Sequence, residues 1–138
     1  MQRRSELWGF LGSFQSGNMP WFVGGDFNMI VDPEEKRGGS WPSVVAMQDF
    51  REFITAAGIL DMGFQGRHFT WCNNRRGPLH IWSRRDRYLS NIQGLDTFSK
   101  TKVTHLTRSL SDHARLLVEV SCDNLRRRAL FYSSNWHQ

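Results

Sequence analysis

Between Ser43 and Gly58 the chain carries a segment whose conformation is set by local rules at both ends. Ser43 is a helix N-cap residue, because its hydroxyl can accept a hydrogen bond from an amide of the first turn. Ala46, Phe50, Phe53 and Ala57 recur at helical spacing and form one apolar face. Gly58 supplies the stop, since the left-handed residue after a last turn favours glycine. A helix with a single apolar stripe must bury it against another layer. Short apolar runs supply that layer. Trp21-Phe22-Val23 lies between Pro20 and Gly24 and reads as a buried strand. His68 to Cys72, Ile81 to Leu89, Val103 to Leu106 and Leu116 to Val120 read as further strands, with one helical turn over Gly94 to Phe98. Leu7, Phe10, Leu11 and Phe14 predict another short amphipathic helix over residues 5–15, broken by Ser16 to Pro20. The charged run Glu34 to Arg37 places a solvated loop over 32–42, and Asn73 to Pro78 reads as a basic turn. Strands mixed with helices predict an α/β layered domain.

A chain of 138 residues allows one domain, and 39% hydrophobic residues are enough for a core, which excludes wholesale disorder. The net charge is +5, carried by 15 Arg against only 3 Lys. Guanidinium forks match phosphate geometry, so a polyanionic partner is plausible beside the simpler reading of a slightly charged surface. The charge is also divided along the chain, net −3 over residues 1–62 and +8 over 63–138. A site that gathers acids for a metal and arginines for phosphates would divide it this way. The two cysteines, Cys72 and Cys122, have no metal-ligand spacing, and read as reduced thiols of an intracellular protein. No apolar run is long enough to cross a bilayer, and the basic start followed by Leu7 to Leu11 is too short for a signal peptide core.

Three stretches carry chemistry. In Gly24-Gly25-Asp26-Phe27-Asn28 the strand period of two puts Asp26 and Asn28 on one side, at the end of a buried strand where α/β sheets expose reactive groups. The same residues also suit an ordinary strand-to-turn exit. Ser111-Asp112-His113 precedes an apolar strand and reads either as a loop bringing two side chains to a site or as a turn with a surface histidine. In Arg84-Arg85-Asp86-Arg87 a carboxylate among guanidiniums stays ionised. That stretch reads equally as a solvated basic edge. His68, His80, His105 and His137 are scattered and read as surface or strand residues, while Trp71 suits either the core or a cleft wall.

Taken in order, Pro20 to Asn28, Ala46 to Phe53 followed by Gly58 to Asp61, Phe69 to Asn74, Arg84 to Arg87 and Ser111-Asp112-His113 form a specific series. It resembles the endonuclease/exonuclease/phosphatase superfamily, and looks most like the endonuclease domain of plant non-LTR retrotransposons. The resemblance spans roughly residues 5–122 and covers the later half of that domain. It implies a DNase-I-like four-layer α/β sandwich, incomplete over residues 1–122, with 123–138 as a basic and aromatic tail or a connector toward a reverse transcriptase domain. It implies hydrolysis of a phosphodiester bond in DNA with Mg²⁺, or Mn²⁺ in its place, in the nucleus. By motif, Asp26 would orient or deprotonate the attacking water with Asn28. His113 would hold a phosphate oxygen or act as acid and base, Asp86 would orient its ring, and Asp112 would help bind the metal. Arg75, Arg76, Arg84 and Arg87 would contact DNA phosphates. The chain departs from the family at Arg85, where a Leu is usual, and carries no counterpart of the family's early Asn and metal-binding Glu. It would therefore be weakly active or inactive without a separate N-terminal half. Two other classes stay open: a nucleic-acid-binding remnant without turnover, and a phosphatase on a small or lipid phosphate.

Overall fold

Ser43 caps its helix as expected. In the computed structural model, which describes residues 6, 9, 19–108, 111–122 and 125–131 (the last segment and Cys122 for backbone alone), Ser43 Oγ accepts from the Ala46 amide at 3.2 Å. The helix, α1, runs Val44–Ala56, and Gly58 follows with φ 65. Its inward face is turned slightly toward Met47. Met47 and Phe50 are buried, and Phe50, Phe53, Ile54 and Ala57 pack with Phe27, Met29, Ile59 and Leu89. Burying a Phe side chain such as Phe50 is worth about 1.5–3 kcal/mol. The helix expected over residues 5–15 lies almost wholly outside the described residues.

Among the described residues ten strands form three sheets. Strand β1 (Phe22–Asp26) and β3 (Ile59–Asp61) flank β7 (Asp86–Asn91), both antiparallel to it. The second sheet orders β10-β9-β8-β4, from β4 (Gln65–Gly66), β8 (Lys102–His105), β9 (Leu116–Cys122) and β10 (Leu125–Phe131). The third is small: β2 (Lys36–Arg37), β5 (Trp71–Cys72) and β6 (Trp82–Ser83). The layers follow from the strand period on β7. Leu89 points to α1, while Tyr88 points the other way and packs with Val103 and Val118 of the second sheet. Burial there pushes the Tyr88 hydroxyl up to about 12. Gly24, opposite Tyr88, leaves room for the stacked Phe22 and Tyr88 rings, 5.5 Å apart. After β7, Asn91 caps the short helix α2 (Ile92–Thr97) through the Gly94 amide. A Cβ on Gly94 would come within 2.3 Å of Ser90 Oγ, so only glycine fits there.

The expected strand Ile81 to Leu89 is two strands in two sheets. At Arg84-Arg85 the chain leaves β6 and enters β7, and the Thr70 hydroxyl accepts from both the Arg85 and Asp86 amides at 3.0 and 3.1 Å. The region 32–42 is not simply a solvated loop. It forms a one-turn 3-10 helix, Pro33–Glu35, and β2, and Glu35 is buried. Ile59–Asp61 is a strand that the sequence pattern does not announce, and residues 125–131 of the expected tail extend the second sheet through β9. His105, on β8, is buried, stacks on Phe64 at 4.2 Å, and hydrogen-bonds the Arg67 carbonyl through Nδ1. Among the described residues no helix is long and apolar enough to cross a membrane.

Arg84 and Arg87 correct a second expectation. Both are buried, so neither is a solvated edge or a phosphate contact. Each binds both Glu35 and Asp61: Arg84 Nη2 to Asp61 Oδ1 at 2.9 Å, Arg87 Nη1 to Asp61 Oδ2 at 2.8 Å, and both to Glu35 Oε2. Two guanidiniums and two carboxylates neutralise one another, which is how buried charge is tolerated. Burial works to raise the Asp61 carboxyl, but the two arginines prevail and hold it below the usual carboxylate range.

Removing one carboxylate should therefore be severe. Glu35→Ala leaves buried guanidinium charge short of a partner and is expected to cost about 3–5 kcal/mol, read as a lower urea midpoint at unchanged slope. A cost below about 1 kcal/mol would mean that the network is solvated. A second expectation concerns acid. Burial lowers His105 from 6.5 to about 4. Between those values the unfolded chain takes up a proton that the folded chain refuses. Stability is then full above pH 6.5 and falls on acidification through this window, by on the order of 3 kcal/mol. His105→Gln should flatten that limb in urea titrations at successive pH values.

Candidate active site

Three segments far apart in sequence meet at one end of the β1–β7 pair. Register places Asp26 opposite Asp86. Directly opposed residues share a face, with Cβ atoms about 4.5–5.5 Å apart. The third segment enters through an antiparallel bridge between Trp71 and His113. The Cys72 amide donates to the Asp112 carbonyl at 3.1 Å and the Ala114 amide to the Thr70 carbonyl at 2.6 Å, which seats His113 over the carboxylates. A carboxylate only accepts when ionised, so His113 Nδ1–H donates to Asp86 Oδ2, at 2.9 Å. Nε2 of the same ring lies 3.6 Å from Asp26 Oδ2. The three side chains are nearly closed to solvent, at 8% for Asp26, 2% for Asp86 and 10% for His113.

Beyond this triad the contacts continue as a chain. Asp26 Oδ1 accepts from the Asn28 amide at 2.7 Å, an Asx turn that holds Asn28 at φ 52. Asn28 Oδ1 in turn accepts from Arg85 Nη1 at 3.1 Å. The Arg85 guanidinium lies flat over Trp71, 3.5 Å from the ring centroid. The sequence departure at Arg85 is thus accommodated by a cation–π stack and a hydrogen bond rather than by burial in apolar surroundings.

Burial raises the Asp26 carboxyl above its usual value, and the Asp86 charge adds to this, against the Asn28 amide, His113 and Arg85. For His113 burial works against the charged ring. The hydrogen bond and charge of Asp86, with Asp26 and Asp112, outweigh it and raise the imidazole. Asp26, Asp86 and His113 each present one ligand atom within 4.8 Å of the others, and together they can hold a metal ion.

Of the expected site residues, the structure therefore brings together Asp26, Asn28, Asp86 and His113. Asp112 is exposed; it stands outside the ligand group and acts on the ring by charge. Arg75 and Arg76 are exposed on the turn after β5, while Arg84 and Arg87 face the ion network on the opposite side of β7. Two residues of the site, Thr70 and Arg85, were not foreseen as such, and Trp71, expected in the core or a cleft wall, joins them. Thr70 fixes the entry of Asp86, Trp71 supports Arg85, and Arg85 itself hydrogen-bonds Asn28. The only sequence signal for them is the Phe69-Thr70-Trp71 phrase and the out-of-place charge.

The raised imidazole is directly observable. In histidine NMR titrations His113 should lose its proton above pH 6.5, and in Asp86→Asn, where burial loses its main opponent, at lower pH than in the parent chain. Because the folded value is the higher one, the pairing stabilises fully below pH 6.5 and fades as pH rises through the folded value. Asp86→Asn should remove that alkaline slope. An unchanged His113 midpoint in this variant would rule out the pairing.

Comparison with protein-family models, curated proteins and solved structures finds no match to this chain.

Proposed function

We propose that Asp26, Asp86 and His113 form the centre of a divalent-metal-dependent phosphodiester hydrolase acting on DNA, of the DNase-I-like type that the motif series resembles. The observation that carries the reading is the His113 ring held between two carboxylates that arrive from separate strands. Phosphoryl transfer needs a positioned water and neutralised oxygens, with little covalent work for the protein. The raised His113 imidazole favours its charged form, which can hold a phosphate oxygen or give a proton to the leaving oxygen. Asp86 orients it, as a carboxylate orients a catalytic imidazole. Asp26, with a raised pKa and one oxygen fixed by Asn28, is placed to orient the water and accept its proton.

The donor set also bears on the metal. Two opposed carboxylates in a nearly closed corner repel each other, and a divalent cation would relieve this. Asp26 and Asp86 supply oxygens, which Mg²⁺ prefers and Mn²⁺ accepts; His113, protonated in the roles above, is not counted as a ligand in this reading. A bound ion would polarise the phosphoryl oxygen. Asp112, outside the group, is dropped as a ligand in this reading. The stacking of α1, the β1-β7-β3 sheet and the β8–β9 sheet as successive layers supports a DNase-I-like sandwich. The exposed Arg75 and Arg76 and the net +8 over residues 63–138 support a nucleic-acid substrate.

The test is nicking of supercoiled plasmid by the purified chain in Mg²⁺ and in Mn²⁺. We expect slow nicking at high protein concentration, abolished by EDTA and reduced at least about a hundredfold in His113→Ala and Asp26→Ala. Nicking that survives both substitutions would overturn the assignment. DNA binding without any cleavage, weakening steeply with salt, would replace it with a nucleic-acid-binding remnant. Hydrolysis of inositol phosphates without nicking would make it a phosphatase.

A further inference from the structure

Arginine stands at 84, 85 and 87 around Asp86, and the structure treats the three differently. Arg84 and Arg87 are neutralised by Glu35 and Asp61 on one side of β7. Arg85 points to the other side and is half-buried. Among the described residues no carboxylate lies within ion-pair distance of it, and its one side-chain hydrogen bond goes to a neutral amide oxygen, Asn28 Oδ1. Asp26 and Asp86 act on it by charge without an ion-pair contact, burial still outweighs them, and its orientation here is fixed. Trp71 sets the plane of the guanidinium and Asn28 fixes one of its nitrogens. That leaves the remaining N–H donors for something that is not part of the described chain.

Arg85 also lines a cavity of about 190 Å³ beside the triad. Its walls include Asn28, Lys36, Ser83, Met29 and Met47. Lys36 spends one donor on the Ser40 carbonyl, at 2.6 Å, and keeps two. Two cations, one amide and the hydroxyls of Ser43 and Ser83 therefore line a space whose remaining lining is apolar, Met29 and Met47 among it. The chemistry that this accepts is a phosphate ester: an anion at the guanidinium and ammonium, and a less polar sugar or ring against Met29 and Met47.

We propose that Arg85 and Lys36 form a nucleotide-phosphate subsite next to the Asp26–Asp86–His113 centre, binding the phosphate adjacent to the one cleaved. The proposal rests on the phosphodiesterase reading for the order of the two phosphates, but not for the binding itself. Arg85 reaches the reacting corner through Asn28, whose amide holds Asp26, so occupation of the subsite registers the substrate against the water-orienting carboxylate. A leucine at this position would leave the cavity without its fork.

The probe is deoxythymidine 5′-monophosphate, titrated into the full chain in EDTA and followed by calorimetry. The nucleotide should bind, and thymidine, which lacks the phosphate, should not bind detectably. Arg85→Met should weaken the nucleotide about tenfold to a hundredfold, with Arg85→Lys intermediate because it restores charge without the fork. Lys36→Met, on the opposite wall, should weaken it as well and guards against misfolding of the Arg85 variant. Nucleotide affinity unchanged from the parent chain in Lys36→Met and in a folded Arg85→Met, or thymidine binding as tightly as its phosphate, would overturn the subsite. Because no divalent ion is present, retained binding with no nicking would remove the phosphodiesterase reading and leave the subsite standing. Full nicking at unchanged KM in Arg85→Met would remove the subsite alone.

Discussion

All six residues of β7 are buried, and their alternation serves two unlike environments at once. Tyr88 faces the second sheet and Asp86 the His113 corner; Leu89 faces α1 and Arg87 the ion network. A shift of one residue in the β1–β7 register would exchange these sets. It would turn a guanidinium into the triad and the carboxylate into the apolar layer beneath α1. The register that packs Leu89 on Phe50 is therefore the same one that sets Asp86 opposite Asp26. Packing and chemistry are fixed together by a single pairing.

Charge is balanced separately on the two sides. On one, Glu35 and Asp61 meet Arg84 and Arg87, and every formal charge has a partner. On the other, two carboxylates stand side by side with an imidazole as their close cationic partner and Arg85 nearby. The first arrangement is a closed network that positions backbone. The second is an open one, whose unfavourable carboxylate pair raises Asp26 and whose His113 is drawn toward its charged form. Perturbed titratable groups gathered in one corner are a mark of acid–base sites. In the Arg84–Glu35 network each charge meets an opposite one instead.

Thr70 shows how little chain is needed to join these parts. Its hydroxyl accepts two amides at the break between β6 and β7, its carbonyl accepts from Ala114, and its amide donates to Ser83. One buried residue thereby links the strand carrying Asp86, the loop carrying His113 and the small third sheet. Trp71 extends the same link to Arg85.

Local sequence determined a good part of this protein. The capped helix from Ser43 to Gly58, the strand leading into Asp26, the turn at Asn28 and the apolar runs on β8 and β9 follow from periodicity and from residues that favour one backbone conformation. Motif order also singled out Asp26, Asn28, Asp86 and His113. It misjudged Arg84 and Arg87, because a run of arginines looks solvated until Glu35, nearly fifty residues earlier, is brought beneath it. It gave Arg85 no task and missed β3. Those outcomes depend on pairings between distant segments, whose energies come from contacts that no window of neighbouring residues contains. Sequence alone thus decided which residues prefer a helix, a strand or a turn. Only the tertiary structure decided which charges meet, because attraction and desolvation act through space and not along the chain.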